Sequence, residues 1–527
     1  MNSFLKLSII FILFLSTREV VLAEACEADI GSRCYYIANS GSDENDGSFE
    51  YPWKTFENAV SSSIKPGDYI YAREGVYSER TSVYGTNAIL PLTNYAGFVG
   101  DENNPIVFKS YPGEVAIMDA LGSMDADASA VVIRGSDKKG IIIEDMEIRN
   151  SFGAGNIYIE DSANHIIIRK NKIYNADGTD NVGGIYLGPS QSILIENNII
   201  RDNYKRLDTL NNNNANIFIF GGTTDIHIKN NELYNSVHGI FYKHSGYGAS
   251  LFEYNFLHDL TGNAFIIASD NVTMENNLIV SSGVAFDIHE EAGCIDCTRD
   301  ASIEHNTVYD SNFFVINRGN DRPGAIRTIV KNNIFYKEET QQLPIWQYGS
   351  DDDYLNNIAD PRLSYNNYFS SSLSFNYFGA TGLWGDLGGI YTLNQFQGIG
   401  FENNSFNSNP LFINQSGTFT FISDFFLGNN SPAINAASDG ANMGANIDLV
   451  GIQSTESCSD NIQNQDETGI DCGGVCDTCV VPTIYTLTNF ISAITNWLGI
   501  GDETSDVNSD GVVNSRDLGI VMSGWGE

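Results

Sequence analysis

The chain has 527 residues and a net charge of −38 at pH 7, from 66 Asp and Glu against 28 Lys and Arg. That balance excludes nucleic acid and anionic membrane surfaces as partners, because both need a basic face. The length allows one large folded domain with appendages.

Residues 1–23 read as a secretory signal. Lys6 supplies a positive charge, Leu7 to Leu15 is an apolar run, and Val21-Leu22-Ala23 offers small residues for cleavage. The run is too short to span a bilayer. The chain is therefore expected to be secreted, extracellular or attached to a cell surface. In such a medium the acidic surface serves solubility, and calcium is a second use for many oxygen ligands.

Residues 24 to about 140 carry short apolar segments at Val107, Val115-Ala116-Ile117 and Val131-Val132-Ile133, expected as early strands. From 141 to 337 one pattern returns: an Asn, then an apolar residue two places on. Copies are Asn171-Lys172-Ile173, Asn198-Ile199-Ile200, Asn231-Glu232-Leu233, Asn255-Phe256-Leu257, Asn277-Leu278-Ile279, Asn306-Thr307-Val308 and Asn333-Ile334-Phe335. Met146-Glu147-Ile148 and Asn367-Tyr368-Phe369 read as worn copies at the ends. The spacing of roughly 22 to 33 residues is that of solenoid coils. Each copy follows a β-branched run such as Ile166-Ile167-Ile168 or Ile226-His227-Ile228, which means strand.

One coil cannot stand alone. A coil of ~22 residues loses ~1–2 kcal/mol of backbone entropy per residue. About five inward aliphatics return ~1.5–3 kcal/mol each. Stacking closes the deficit by burying both faces of each layer. It also brings equivalent Asn side chains ~4.8 Å apart, where they can hydrogen-bond to one another and to turn backbone.

The pattern resembles the right-handed parallel β-helix of the pectin-lyase-like superfamily. The opening Tyr35-Tyr36-Ile37-Ala38-Asn39-Ser40-Gly41-Ser42-Asp43, with Pro52-Trp53-Lys54-Thr55-Phe56 and Lys65-Pro66-Gly67-Asp68, resembles the N-terminal cap of secreted β-helix polysaccharide lyases. The resemblance implies an all-β solenoid over residues 24–452, closed by the less regular residues 371–452, and a polysaccharide substrate. The eight cysteines of a secreted chain are disulfide candidates. Cys26 and Cys34 flank the cap and are expected to pair. Cys294 and Cys297 form a CxxC read as a local disulfide, with zinc alongside His289 and His305 as the alternative.

Residues 453–482 hold Cys458, Cys472, Cys476 and Cys479 in a polar stretch, read as a stapled linker with two disulfides in one of three pairings. A zinc site made of all four is the other reading. Residues 483–527 carry Asp506, Asn508, Asp510, Val512, Asn514 and Asp517 at the spacing of an EF-hand calcium loop, with Gly511 at the sharp turn. Asp at the last position, and the echo of Asn489-Phe490 to Asn496-Trp497 in Asp517-Leu518 to Gly524-Trp525, resemble a dockerin. The resemblance implies a small α-helical calcium module and a cohesin-like or cell-surface partner for an otherwise monomeric chain. The first calcium loop of a dockerin is missing, which departs from the family.

Chemistry is expected on an outer sheet. With Ile157/Ile159, Ile185/Leu187, Ile217/Ile219 and Ile240/Tyr242 inward, their neighbours face outward. One outward column is Tyr158, Tyr186, Phe218, Phe241, Ile266, Asp287, read either as a platform for sugar rings or as ordinary packing. The next contains Lys243, Ala268 and His289. β-Elimination of a polyuronate needs a cation against the carboxylate, a base for the C5 proton, and an acid or water for the leaving oxygen. Lys243 is the expected base, Asp287 and Glu290 serve calcium or carboxylate roles, and His289 and Arg322 contact substrate. A glycosidase would need two flanking carboxylates, for which Asp287 with Glu290 or Glu291 is the candidate pair. A non-catalytic glycan-binding or adhesive protein is the reading from another class.

Overall fold

Each coil lays down three short strands, and each strand pairs with its equivalents one coil before and one coil after. The computed structural model describes residues 26–27, 32–62, 64–83, 85–93, 100–122, 127–178, 181–203, 213–243, 248–289, 298, 300–316, 328–347, 362–379, 389–414 and 421–453. All belong to one compact unit, Met1–Gln453; the second unit, Ser454–Glu527, lies outside the described residues.

Among the described residues the strands form three sheets of 12, 12 and 13 strands. The first runs from Cys34–Ile37 through Asn164–Arg169 to Leu363–Ser364, and the second from Gly75–Tyr77 through Lys172–Tyr174 to Phe406–Asn407. The third runs from Thr81–Val83 through Val182–Leu187 to Gly389–Thr392. Every strand pairing is parallel except the outermost pair at each end of the third sheet, where a strand folds back antiparallel. This is a parallel β-helix. The inward positions expected from the sequence, from Ile157 and Ile159 to Ile240 and Tyr242, are fully buried in one continuous core, which runs on through Phe286 and Ile288. The expected early strands are Ile106–Ser110, Ala116–Asp119 and Ala128–Arg134; Val115 lies just outside its strand and is exposed. Cys26 and Cys34 are bonded, with Cα atoms 5.8 Å apart. Cys294, Cys297, Cys458, Cys472, Cys476 and Cys479 lie outside the described residues.

The repeated Asn residues form a ladder between the first and second sheets. Asn231 shows the unit: its backbone N–H and its Nδ2 both donate to Asn255 Oδ1, at 3.1 and 3.0 Å. Nδ2 also donates to the carbonyl of Ile195 one coil back. Members from Asn171 to Asn333 repeat this with their buried amides. At the last coil the expected register is wrong by one. Asn366, not Asn367, takes the ladder position, because Ile334 pairs with Asn367 and Asn333 donates to Asn366 Oδ1. A doubled Asn hides the true phase from sequence. Met146 does occupy the first rung, its N–H donating to Asn171 Oδ1.

The residue before each rung turns the chain in the left-handed region. Lys170, Asn197, Asn230, Tyr254, Asn276, His305, Asn332 and Tyr365 have φ between 51° and 62°. The short polar side chain of Asn tolerates this conformation better than most. The same Asn side chains hold the closing segment. From Ser438 to Gln453 the chain runs back along this turn column. Ser438 donates to Asn332 Oδ1, Asn446 to Asn276 Oδ1 and Gln453 to Asn197 Oδ1, while Asn230 donates to the carbonyl of Gly451. Gly444 is needed there: its φ is +86°, and a Cβ would stand 2.7 Å from Ile334 Cδ1.

The outward column of the first sheet is a charge ladder. Its register runs Lys109, Glu144, Arg169, Glu196, Lys229, Glu253, Glu275, Glu304, Lys331. Signs alternate until three glutamates stand in succession. Arg169–Glu144, Lys229–Glu196 and Lys331–Glu304 are ion pairs at 2.8, 3.2 and 3.1 Å. Glu253 is met instead by His227 at 2.7 Å.

Candidate active site

The third sheet carries the outward column expected from the sequence. Register pairs Tyr158 with Tyr186, then Phe218, Phe241, Ile266 and Asp287 in turn. The geometry of the rings follows from their spacing. Side chains stand off the sheet one coil apart, so neighbouring rings meet one another first. Tyr186 stacks on Phe218 with centroids 5.4 Å apart, and Tyr158 and Phe241 meet this pair edge to face at 5.2 Å each. Phe218 is fully buried and Phe241 is 5% exposed. The ring faces are largely spent on each other, and the middle of the column is closed to a ligand.

Lys243 ends the strand His238–Lys243 and is 6% exposed. Its Nζ lies 5.3, 5.6 and 5.8 Å from the ring centres of Phe241, Phe218 and Phe220. Ring faces attract a cation, so the aromatic column holds an ammonium.

His289 follows the strand Val284–Ile288, and its N–H donates to the carbonyl of Ile267. Lys243 pairs with Ala268 in register, so Lys243 and His289 flank the small Ala268 two strands apart, ~10 Å. His289 Nδ1 lies 3.1 Å from Asp287 Oδ1. A carboxylate only accepts, so Nδ1 donates, and in the neutral imidazole the lone pair is then on Nε2. Asp287 Oδ2 is held by Asn263 Nδ2 at 3.0 Å. Both oxygens of Asp287 are thus engaged in orienting His289. Asn263 and His238, which join this cluster, were not singled out from sequence: an Asn among 25-residue repeats full of Asn carries no signal of its own.

A groove of about 560 Å³ lies at the opposite, leading edge of the third sheet, lined by Asn150, Ser151, Asn175, Asp177 and Asp202 with Leu121 at its rim. Ser151 Oγ is buried there without a hydrogen-bond partner among the described residues. The structure does not bring this oxygen-rich groove to Lys243 and His289, which lie at the trailing edge. Among the described residues no three His, Cys, Asp or Glu side chains converge as a metal site. Glu290, Glu291, Arg322 and the loop Asp506, Asn508, Asp510, Val512, Asn514, Asp517 lie outside the described residues.

Residues 35–225 match the family described as Pel9A-like, right handed beta helix region. The curated Uncharacterized protein YwoF of Bacillus subtilis (strain 168) is 24% identical over 352 residues, 58% of this chain and 69% of that protein. Among solved structures, the pectate lyase Pel9A aligns over 78% of this chain and 95% of its own, with 15% identity and a TM-score of 0.48. A mannuronic acid specific polysaccharide family 6 lyase from human gut microbiota aligns over 66% and 76%, with 14% identity and a TM-score of 0.43. The match to that family covers the first half of the solenoid, residues 35–225.

Proposed function

We propose that this protein cleaves an acidic polysaccharide by β-elimination on the outer face of the third sheet. One observation carries the reading: an ammonium held by three aromatic rings and a carboxylate-oriented histidine flank a single alanine. The Lys243 ammonium faces the uronate carboxylate and stabilises the charge that builds there when C5 loses its proton. His289 Nε2 takes that proton, with Asp287 stabilising the imidazolium. The C4–O bond then breaks, its oxygen is protonated by water, and the product carries a C4–C5 double bond. In this proposal Lys243, read from sequence as the base, serves as the cation against the carboxylate, and His289, read from sequence as a substrate contact, serves as the base. A Pel9A-like region agrees with a long, chain-shaped substrate.

Calcium belongs to the proposal in two places. In the tail, Asp506 to Asp517 would hold one ion and tether the protein to a cohesin-like or cell-surface partner outside the cell. In the groove, Asp177 and Asp202 bring carboxylates and Asn150 and Asn175 amide oxygens, and the orphaned Ser151 hydroxyl fits a ligand there. Calcium would supply positive charge for a further uronate carboxylate.

The test is ultraviolet absorbance of the new double bond when the chain is offered pectate, alginate or glycosaminoglycans, with calcium and with chelator. A rise that disappears in His289→Gln supports elimination by this site. New reducing ends without absorbance would replace it with a hydrolase. Binding without either would make the protein an adhesin.

A further inference from the structure

We infer that Asn263 is a positioning residue of this site: it locks Asp287, and through it the ring of His289, while His238 locks Asn263. Its consequence for turnover rests on the elimination reading above; its geometry does not.

The three coils are joined by one chain of hydrogen bonds. Asn263 backbone N–H donates to His238 Nδ1 at 2.9 Å, Asn263 Nδ2 donates to Asp287 Oδ2 at 3.0 Å, and His289 Nδ1 donates to Asp287 Oδ1 at 3.1 Å. Each bond has one possible direction. A backbone N–H only donates, so His238 keeps a lone pair on Nδ1 and its proton on Nε2. A carboxylate only accepts, so His289 has its proton on Nδ1. Two imidazoles of opposite tautomer are therefore fixed through one asparagine.

Other features show a seat built for this arrangement. A Cβ at Gly262 would stand 2.6 Å from His238 Cε1 and 2.7 Å from Nδ1, so glycine makes room for the ring. A Cβ at Gly283, one coil on, would stand 2.7 Å from the Gly262 carbonyl, so glycine recurs there too. Asn263 also stands apart from the ladder. Ladder amides are fully buried and bond to turn backbone, whereas Asn263 is half-buried on the outer face and spends its amide on a carboxylate. An asparagine there serves the orientation of a surface group, and misplacing such a group by about 1 Å can cost on the order of 100-fold in rate.

Asn263→Ala and Asn263→Asp both keep the backbone N–H to His238 and remove the donor to Asp287. The experiment uses the full chain labelled with ¹⁵N-histidine, with the His289 signals assigned by their loss in His289→Gln. The expected result is a single Nδ1–H tautomer of His289 in the parent and a mixture of tautomers in both variants. Elimination should fall about 10- to 100-fold in kcat with KM little changed. An unchanged His289 tautomer in both variants would overturn the inference, whatever the activity. A parent without lyase activity whose tautomer still shifts would leave the positioning network standing and sink only the elimination reading.

Discussion

Lys243 Nζ stands 5.3 Å from the centre of the Phe241 ring, on the strand both residues share. Two residues apart on one strand, they face the same way, and Phe218 from the preceding coil completes the cage. Lys243→Met should keep the packing, since a thioether sits well on aromatic rings, and lose the cation. Elimination should drop by about 100-fold or more with a small change in thermal midpoint. Full activity in Lys243→Met would remove Lys243 from the site.

Asn255→Ala tests the ladder. The change orphans the backbone N–H of Asn231, removes one of the three acceptors of its Nδ2, and takes the Asn255 Nδ2 donor from Asn277 Oδ1 and from the Ile228 carbonyl. Each buried orphan costs about 1–3 kcal/mol. The expected loss of several kcal/mol should appear as a lower midpoint in urea. A value within ~0.5 kcal/mol of the parent, the range of a neutral surface change, would deny the ladder a stabilising role.

Glu402 closes the ladder and gives a pH signature. It is fully buried and accepts from Tyr368 OH at 2.6 Å, Ser405 Oγ at 2.6 Å and Asn366 Nδ2 at 3.2 Å. Burial opposes its charge more than these three donors favour it, and its carboxyl is pushed up to about 7 from an ordinary 4.5. The unfolded chain releases this proton near 4.5 and the folded chain near 7. Between these values the unfolded state binds fewer protons, so stability falls as pH rises, by about 3 kcal/mol in all. Unfolding by urea from pH 4 to 8 should show that fall in the parent and a flatter profile in Glu402→Gln. Identical profiles would refute the assignment.

Glu275 stands between Glu253 and Glu304 in the charge ladder. Burial, then the two neighbouring carboxylates, raise its carboxyl above 4.5, against a smaller pull from His305. A raised carboxyl weakens the fold above its unfolded value and ceases to do so below it. Glu275→Lys restores the alternation and should stabilise by ~0.5–1 kcal/mol at pH 7, discounted for partial exposure. The gain should shrink as pH falls through the range of the raised carboxyl toward ~4.3, the ordinary value of Glu, where the repulsion has gone. A destabilised variant at pH 7 would show that contacts, not charge, set this column.

Much of the fold was legible because the solenoid is nearly one-dimensional. The inward pairs and the outward column from Tyr158 to Asp287 follow from period two along each strand and from equal register between coils. The last rung was not legible: Asn366 and Asn367 are alike in sequence, and only pairing with Ile334 separates them. The state of the aromatic column was open for a similar reason. Sequence places four rings in a row, but whether their faces meet sugar or each other depends on side-chain angles and on what covers Phe218.

The sequence by itself determined the coil, its stacking and the residues that share a face, because these are periodic, local facts of the backbone. Tertiary structure decided what one coil does to another. It set Lys243 among rings from two coils, tied His238, Asn263, Asp287 and His289 across three, and returned residues 438–453 along turns laid down more than a hundred residues earlier. Those contacts depend on loop lengths between coils and on directional side-chain bonds, and neither leaves a period in the chain.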